Sequence, residues 1–115
     1  MSENKITLDN MVLRVYEKST QKFTILSINH KTTLTDLAFK IGDFFDLDMF
    51  GHTFKFCTNI RNQSKGESYY EHFDEDEQQH TDIISCESVL NNIGKKLLFV
   101  QDLGDDNKLI ITRKK

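Results

Sequence analysis

Two apolar runs near the start of the chain predict a pair of β-strands. Residues 11–16 and 22–28 are rich in β-branched and aromatic side chains, which favour strands. The five polar residues between them have the length of a hairpin loop. Residues 1–10 form a polar N-terminal segment, and we assign residues 11–113 to a single domain.

The next apolar pattern predicts an amphipathic helix. Thr33 can cap its first turn, and Asp36 follows three residues later, as in a capping box. The spacing of the apolar positions then places them on one buried helical face. These positions are Leu34, Leu37, Ala38, Ile41, Phe44 and Phe45. The helix should end near residues 46–48.

Residues 51–58 alternate as in a third strand. This period of two places His52, Phe54 and Phe56 on one face, with Lys55 and Cys57 on the other. Residues 59–81 follow as a long and acidic connection. We expect either an ordered loop held by Tyr69, Tyr70 and Phe73, or a mobile insertion.

Residues 85–93 predict a second helix of about two turns. Ser85 is its candidate N-cap, and Gly94 stands where a left-handed C-cap belongs. The buried stripe would consist of Val89, Leu90 and Ile93.

The last residues predict a closing hairpin. Apolar runs at residues 95–101 and 108–113 flank an acidic turn at 102–107. Gly104 lies among aspartates where the chain must reverse, so we expect it to adopt a positive φ.

Together these elements predict an α+β fold with the order ββαβ(α)ββ. One long amphipathic helix would pack against a mostly antiparallel sheet, in a β-grasp-like plan. The helical connection between the second and third strands would also permit a right-handed parallel crossover.

Charge, cysteine spacing and hydropathy argue against a nucleic-acid surface, a zinc site and a membrane span. The net charge is −3, and the three arginines (Arg14, Arg61 and Arg113) are scattered along the chain. We therefore expect no binding stripe for nucleic acid. Cys57 and Cys86 have no zinc-site spacing, so we expect two buried thiols. No apolar run is long enough to span a membrane.

Two acidic segments are candidate sites. The long connection carries Asp74 and Asp76 beside Tyr69, Tyr70 and Phe73, and we interpret it as a solvated loop that could meet a partner. It lacks the register of a calcium-binding EF-hand.

The acidic turn offers a second candidate surface. Its members are His52, Asp102, Gly104, Asp105 and Asp106. Turn chemistry alone explains these aspartates. Carboxylates and an imidazole that converged there could also hold a metal ion, so a metal-dependent enzyme or metal sensor stays open as an alternative.

Three motifs carry a resemblance to a known family. Residues 33–37 match its T-L-x-x-L helix start, His52-Thr53-Phe54 matches its H-x-F strand start, and residues 101–106 stand at its aromatic-D-F-G-D turn. The chain thus resembles the Ri-plasmid ORF-three-like family, also called the insertion-element passenger TnpR-like family, over most of residues 11–113. It departs from the family pattern at Phe50, Gln101, Leu103 and Asn107.

The resemblance implies a passenger gene of a mobile element and a family without an established activity. We expect a small, cytoplasmic, non-enzymatic interaction module with no cofactor and no bound metal. Its partner would be a protein that the sequence does not identify, and a homodimer through exposed edge strands is open. A nucleic-acid regulator is a weaker alternative.

Overall fold

The part of the chain that the structure describes forms a six-stranded antiparallel sheet and two helices, as the α+β prediction requires. The computed structural model describes residues 10–47, 54–62, 65–70, 81, 84–101 and 107–115. The strands lie in the order β2-β1-β6-β5-β3-β4. The elements are β1 (Asn10–Glu17), β2 (Lys22–Asn29), α1 (Leu34–Phe45), β3 (Phe54–Cys57), β4 (Ser68–Tyr70), α2 (Cys86–Val89), β5 (Lys96–Gln101) and β6 (Asn107–Arg113).

Both predicted hairpins are confirmed. β1 pairs with β2 from Asn10 opposite Asn29 to Glu17 opposite Lys22, and β5 pairs with β6 in the same antiparallel sense. The first turn is closed by Gln21, which has φ 62° and donates its backbone N–H to the Glu17 carbonyl at 2.8 Å. All pairings in the described sheet are antiparallel, so the parallel crossover that the sequence permitted is not among them.

The capping box of α1 is also confirmed. The Thr33 hydroxyl accepts from the Asp36 backbone N–H at 3.1 Å, and an Asp36 carboxylate oxygen accepts from the Thr33 N–H at 3.3 Å. The helix ends at Phe45, because Asp46 adopts the left-handed conformation. The prediction that Phe44 is buried is wrong: it is 48% exposed, whereas the neighbouring Phe45 faces the core.

The main core lies between α1 and one face of the sheet. Met11, Leu13 and Val15 of β1 join the buried side of α1 there. Three phenylalanines fill the other end, with ring centres 5.0 Å apart for Phe56 and Phe99 and 6.1 Å apart for Phe54 and Phe56. This confirms that Phe54 and Phe56 share a face of β3.

The second helix is shorter than predicted. Ser85 caps it as expected, but it ends at Val89, and Ile93 is 70% exposed rather than buried. The reason lies in the chain after Leu90, which turns toward β6 instead of making another helical turn. Gly94, at φ 92°, donates its N–H to the Arg113 carbonyl at 2.7 Å.

The long connection contains a strand that its polar composition did not predict. β4 pairs antiparallel with β3 and is three residues long, too short to show a period in the sequence. Several predictions lie outside the described residues: those for residues 51–53 of the third strand, 71–80 of the loop and 102–106 of the closing turn. The predicted positive φ of Gly104 is among them. Among the helices that are described, none has the length and apolar character needed to cross a membrane.

Candidate binding cleft

Alternation along the strands divides the sheet into two faces. One face packs against α1. We call the other the cleft face. From the register it carries Arg14 and Tyr16 of β1, Phe23 and Ile25 of β2, Ile110 and Thr112 of β6, and Lys96 and Leu98 of β5.

A small apolar cluster covers part of the cleft face. Cys57, Leu98 and Val100 are buried there, with Ile60 and Ile110 packed against them. Ile60 belongs to the connection between β3 and β4, so this connection folds back over the sheet.

Side-chain hydrogen bonds hold that connection in place. Asn59 Oδ1 accepts from the N–H groups of Arg61 at 3.1 Å and Asn62 at 2.9 Å, as in an Asx turn. The Thr58 hydroxyl accepts from the Glu67 N–H at 2.8 Å. The turn thereby places Ile60 on the apolar cluster and the adjacent Arg61 beside the sheet.

Gly66 allows the two arms of this connection to approach closely. A Cβ at this position would lie 2.5 Å from Thr58 Oγ1 and 2.6 Å from the Asn59 N atom. These separations are too short for any side chain, so glycine is required for the observed packing.

An open cleft of about 840 Å³ lies between the connection and the sheet. Its lining contains four cationic side chains and, within the described part of the chain, no acidic one. The lining residues are Arg14, Tyr16, Thr58, Asn59, Ile60, Arg61, Gly66, Lys95, Lys96, Ile110 and Thr112. We call Arg14, Arg61, Lys95 and Lys96 the cleft cations.

Arg14 is oriented by aromatic rings. Its guanidinium carbon lies 4.7 Å from the Phe23 ring centre and 5.2 Å from that of Tyr16. Cation–π contacts of this kind fix the plane of the guanidinium group while leaving its N–H donors available. Among the described residues, no carboxylate pairs with any of the cleft cations, and Lys96 makes only a 3.4 Å contact with the Thr112 hydroxyl.

The three arginines, scattered along the sequence, have two different places in the structure. Arg14 and Arg61 line the same cleft although they are far apart in sequence. Arg113 has a structural role instead, because its Nη1 donates to the Leu90 carbonyl at 2.8 Å.

The sequence-predicted site residues are only partly within the described chain. Tyr69 is buried and donates its hydroxyl to Glu67 Oε1 at 2.9 Å; burial, followed by this hydrogen bond, raises the pKa of Tyr69 to about 12. Tyr70 belongs to β4. His52, Phe73, Asp74, Asp76, Asp102, Gly104, Asp105 and Asp106 lie outside the described residues.

The metal-site hypothesis therefore stays a prediction. Within the described ranges, no group of three or more His, Cys, Asp or Glu side chains is arranged to hold a metal ion. Both cysteines are buried thiols, as predicted. Burial is the main cause that raises the pKa of the Cys86 thiol to about 12, and its Sγ donates to the Thr33 carbonyl at 3.4 Å.

The cleft could have been only partly anticipated from the sequence. In β1, Arg14 and Tyr16 alternate with the buried Leu13 and Val15, which indicates a polar–aromatic outer face. The other cleft cations come from two separate parts of the chain. Their convergence depends on strand order and on the Asn59 turn, which no local pattern specifies.

Comparison with known proteins supports the fold and goes no further. No protein-family model matches the chain, and no curated protein matches it. The chain is similar to the crystal structure of a protein of unknown function from Methanosarcina mazei Go1, with a TM-score of 0.73 and 17% sequence identity. The similarity covers 92% of this chain and 59% of that chain. At this identity, what the two proteins share is the α+β fold.

Proposed function

We propose that this protein is a small, non-enzymatic interaction module that binds a protein partner in the cleft. The observation that carries the proposal is the set of cleft cations. Four positive side chains line one cleft, and no described carboxylate neutralises them. An arrangement of like charges is unfavourable by itself and becomes favourable when an anionic surface docks.

The exposed apolar residues beside the cleft support a protein partner. Phe23 and Ile25 are each 53% exposed and stand on adjacent positions of the same face of β2. Protein interfaces are enriched in aromatic residues and arginine, which bury large areas at their centres. Phe23 and Ile25 provide the apolar part of a docking surface, and the cleft cations provide the charged part.

We further propose that the protein acts in the bacterial cytoplasm and has a β-grasp-like fold. The resemblance to the Ri-plasmid ORF-three-like family suggests a bacterial or mobile-element protein acting in the cytoplasm. The β-grasp-like plan rests on the order of hairpin, helix and closing hairpin around one sheet, although β1 and β6 pair antiparallel.

Site-specific photo-crosslinking in the native host tests the proposal. A photoreactive residue would replace Thr112, which lines the cleft, and, as the matched control, Asp43, which is exposed on α1. We expect a defined protein adduct from position 112 and none from position 43. Adducts that form equally at both positions, or only on α1, would contradict the proposal.

A further inference from the structure

The charge and shape of the cleft indicate what the partner presents. Resting on the proposed function, we infer that the cleft binds an acidic segment of a protein, in which carboxylates alternate with aliphatic side chains. The cleft cations would pair with the carboxylates, and Ile60 and Ile110 would contact the aliphatic groups.

Two arginines of the cleft suit carboxylate recognition. A guanidinium group presents a planar fork that can bind a carboxylate through two parallel hydrogen bonds. The contacts of Arg14 with Tyr16 and Phe23 restrict its side chain before any ligand arrives. A side chain that is ordered in advance loses less conformational entropy on binding.

A nucleic acid fits the same cleft less well. Binding of single strands relies on aromatic rings with free faces on which bases stack. Here Arg14 already covers part of the Tyr16 and Phe23 rings, which reduces the ring surface on which a base could stack.

Apolar residues in the lining favour a mixed peptide over a purely ionic ligand. Ile60 and Ile110 are half-buried and rest on the buried cluster of Cys57, Leu98 and Val100. They form an apolar surface that lines the cleft beside the cleft cations. A free inorganic anion would leave this apolar surface exposed to water. An aliphatic side chain between two carboxylates would bury it, which is favourable.

Fluorescence anisotropy with a labelled peptide tests this inference. The probe is a short peptide of Glu-Val-Glu repeats, compared with Gln-Val-Gln repeats and with a single-stranded oligothymidine of equal length. We expect the protein to bind the acidic peptide, to lose affinity as salt rises, and not to bind the amide peptide.

Variants locate the binding site. Arg14→Gln combined with Arg61→Gln should weaken binding of the acidic peptide about tenfold or more, because two charge-assisted pairs are lost. Lys96→Gln, which removes a single charge, should weaken it less. Lys40→Gln, on the exposed side of α1, is the control and should leave affinity unchanged. A thermal melt of each variant shows whether it is folded.

The outcomes separate this inference from the proposed function. Tighter binding of the oligonucleotide, no binding of the acidic peptide, or binding that persists in the double variant would each overturn the inference. If crosslinks form at position 112 while the acidic peptide does not bind, the cleft is a protein-binding site for a different chemistry. If neither is observed, both proposals fail.

Discussion

The guanidinium group of Arg14 lies over the ring of Phe23, although the two residues are not direct partners in the sheet. Tyr16 stands opposite Phe23, and Arg14 stands opposite Ile25. The contact is therefore diagonal, at a separation that long and aromatic side chains can bridge. It joins Phe23, on the exposed part of the cleft face, to the cleft cations.

A double-mutant cycle should show this contact as a coupling energy. We expect Arg14→Met and Phe23→Leu to interact by about 0.5–1 kcal/mol in the free energy of unfolding, the range for an exposed cation–π pair. Urea denaturation of the wild type, the two single variants and the double variant measures it. Strictly additive effects would show that the ring does not hold Arg14.

Replacement of Gly66 should destabilise the connection that forms one wall of the cleft. In Gly66→Ala the new methyl group would collide with Thr58 Oγ1 and with the backbone of Asn59. We expect a loss of about 1–3 kcal/mol in the free energy of unfolding, as for an overpacked site. Urea denaturation measures it, and a neutral effect would mean that the two arms move apart without cost.

Gly94 provides a control with a different physical cause. It has φ 92°, and a Cβ at this position would meet only open space. Gly94→Ala should therefore be destabilising through backbone strain alone, by about 1–2 kcal/mol. Asparagine tolerates positive φ better than alanine, so Gly94→Asn should cost less. Urea denaturation compares the variants, and only the Gly66 variant should also weaken binding in the cleft.

The capping box should contribute measurably to α1. Thr33→Ala removes the acceptor for the Asp36 N–H and should cost about 1 kcal/mol. Thr33→Ser keeps a hydroxyl at the same place and should recover most of the loss. Thermal or urea denaturation followed by circular dichroism compares them. Equal stability of the alanine and serine variants would contradict the capping role.

Alkaline pH should destabilise the protein through two buried groups. Burial raises the pKa of Cys86 from 9.0 to about 12 and, with Glu67, that of Tyr69 from 10.0 to about 12. Above the unfolded value, the unfolded chain releases a proton that the folded chain keeps. The free energy of unfolding should therefore fall between about pH 9 and 12, by up to about 1.4 kcal/mol per pH unit for each group.

Two variants separate these contributions. Cys86→Ala should flatten the decline that begins near pH 9, and Tyr69→Phe should flatten the part above pH 10, whatever their effects at neutral pH. The measurement is urea denaturation at a series of pH values. Slopes identical to that of the wild type would show that neither group is linked to unfolding.

Local signals predicted much of the fold. The capping pair Thr33 and Asp36, the alternation of β1 and the closing apolar runs each act over a few residues, so their elements appear where they were expected. Failures occur where tertiary contacts outweigh the local pattern. Phe44 has helical spacing but points away from the core, and Ile93 lies in a turn that the Gly94 N–H connects to Arg113.

The candidate cleft was much harder to predict. Arg14 and Arg61 are separated by two strands and a helix, so their proximity follows only from the register of β1 with β6 and the fold of the β3–β4 connection. The negative net charge of the chain also gave no sign of a cationic cleft. Acidic residues such as Asp36 and Asp43 lie on α1, across the sheet from the cleft cations.

The most direct test of the cleft as a binding site is a map of the peptide-binding surface by NMR. Backbone amide signals would be recorded as the acidic Glu-Val-Glu peptide is added to the labelled protein. We predict that the shifted signals belong to Arg14, Arg61, Lys96 and Thr112, while those of exposed residues of α1, such as Lys40, stay in place. Shifts that cluster on α1, or a spectrum unchanged at saturating peptide, would contradict the assignment of the cleft as the binding site.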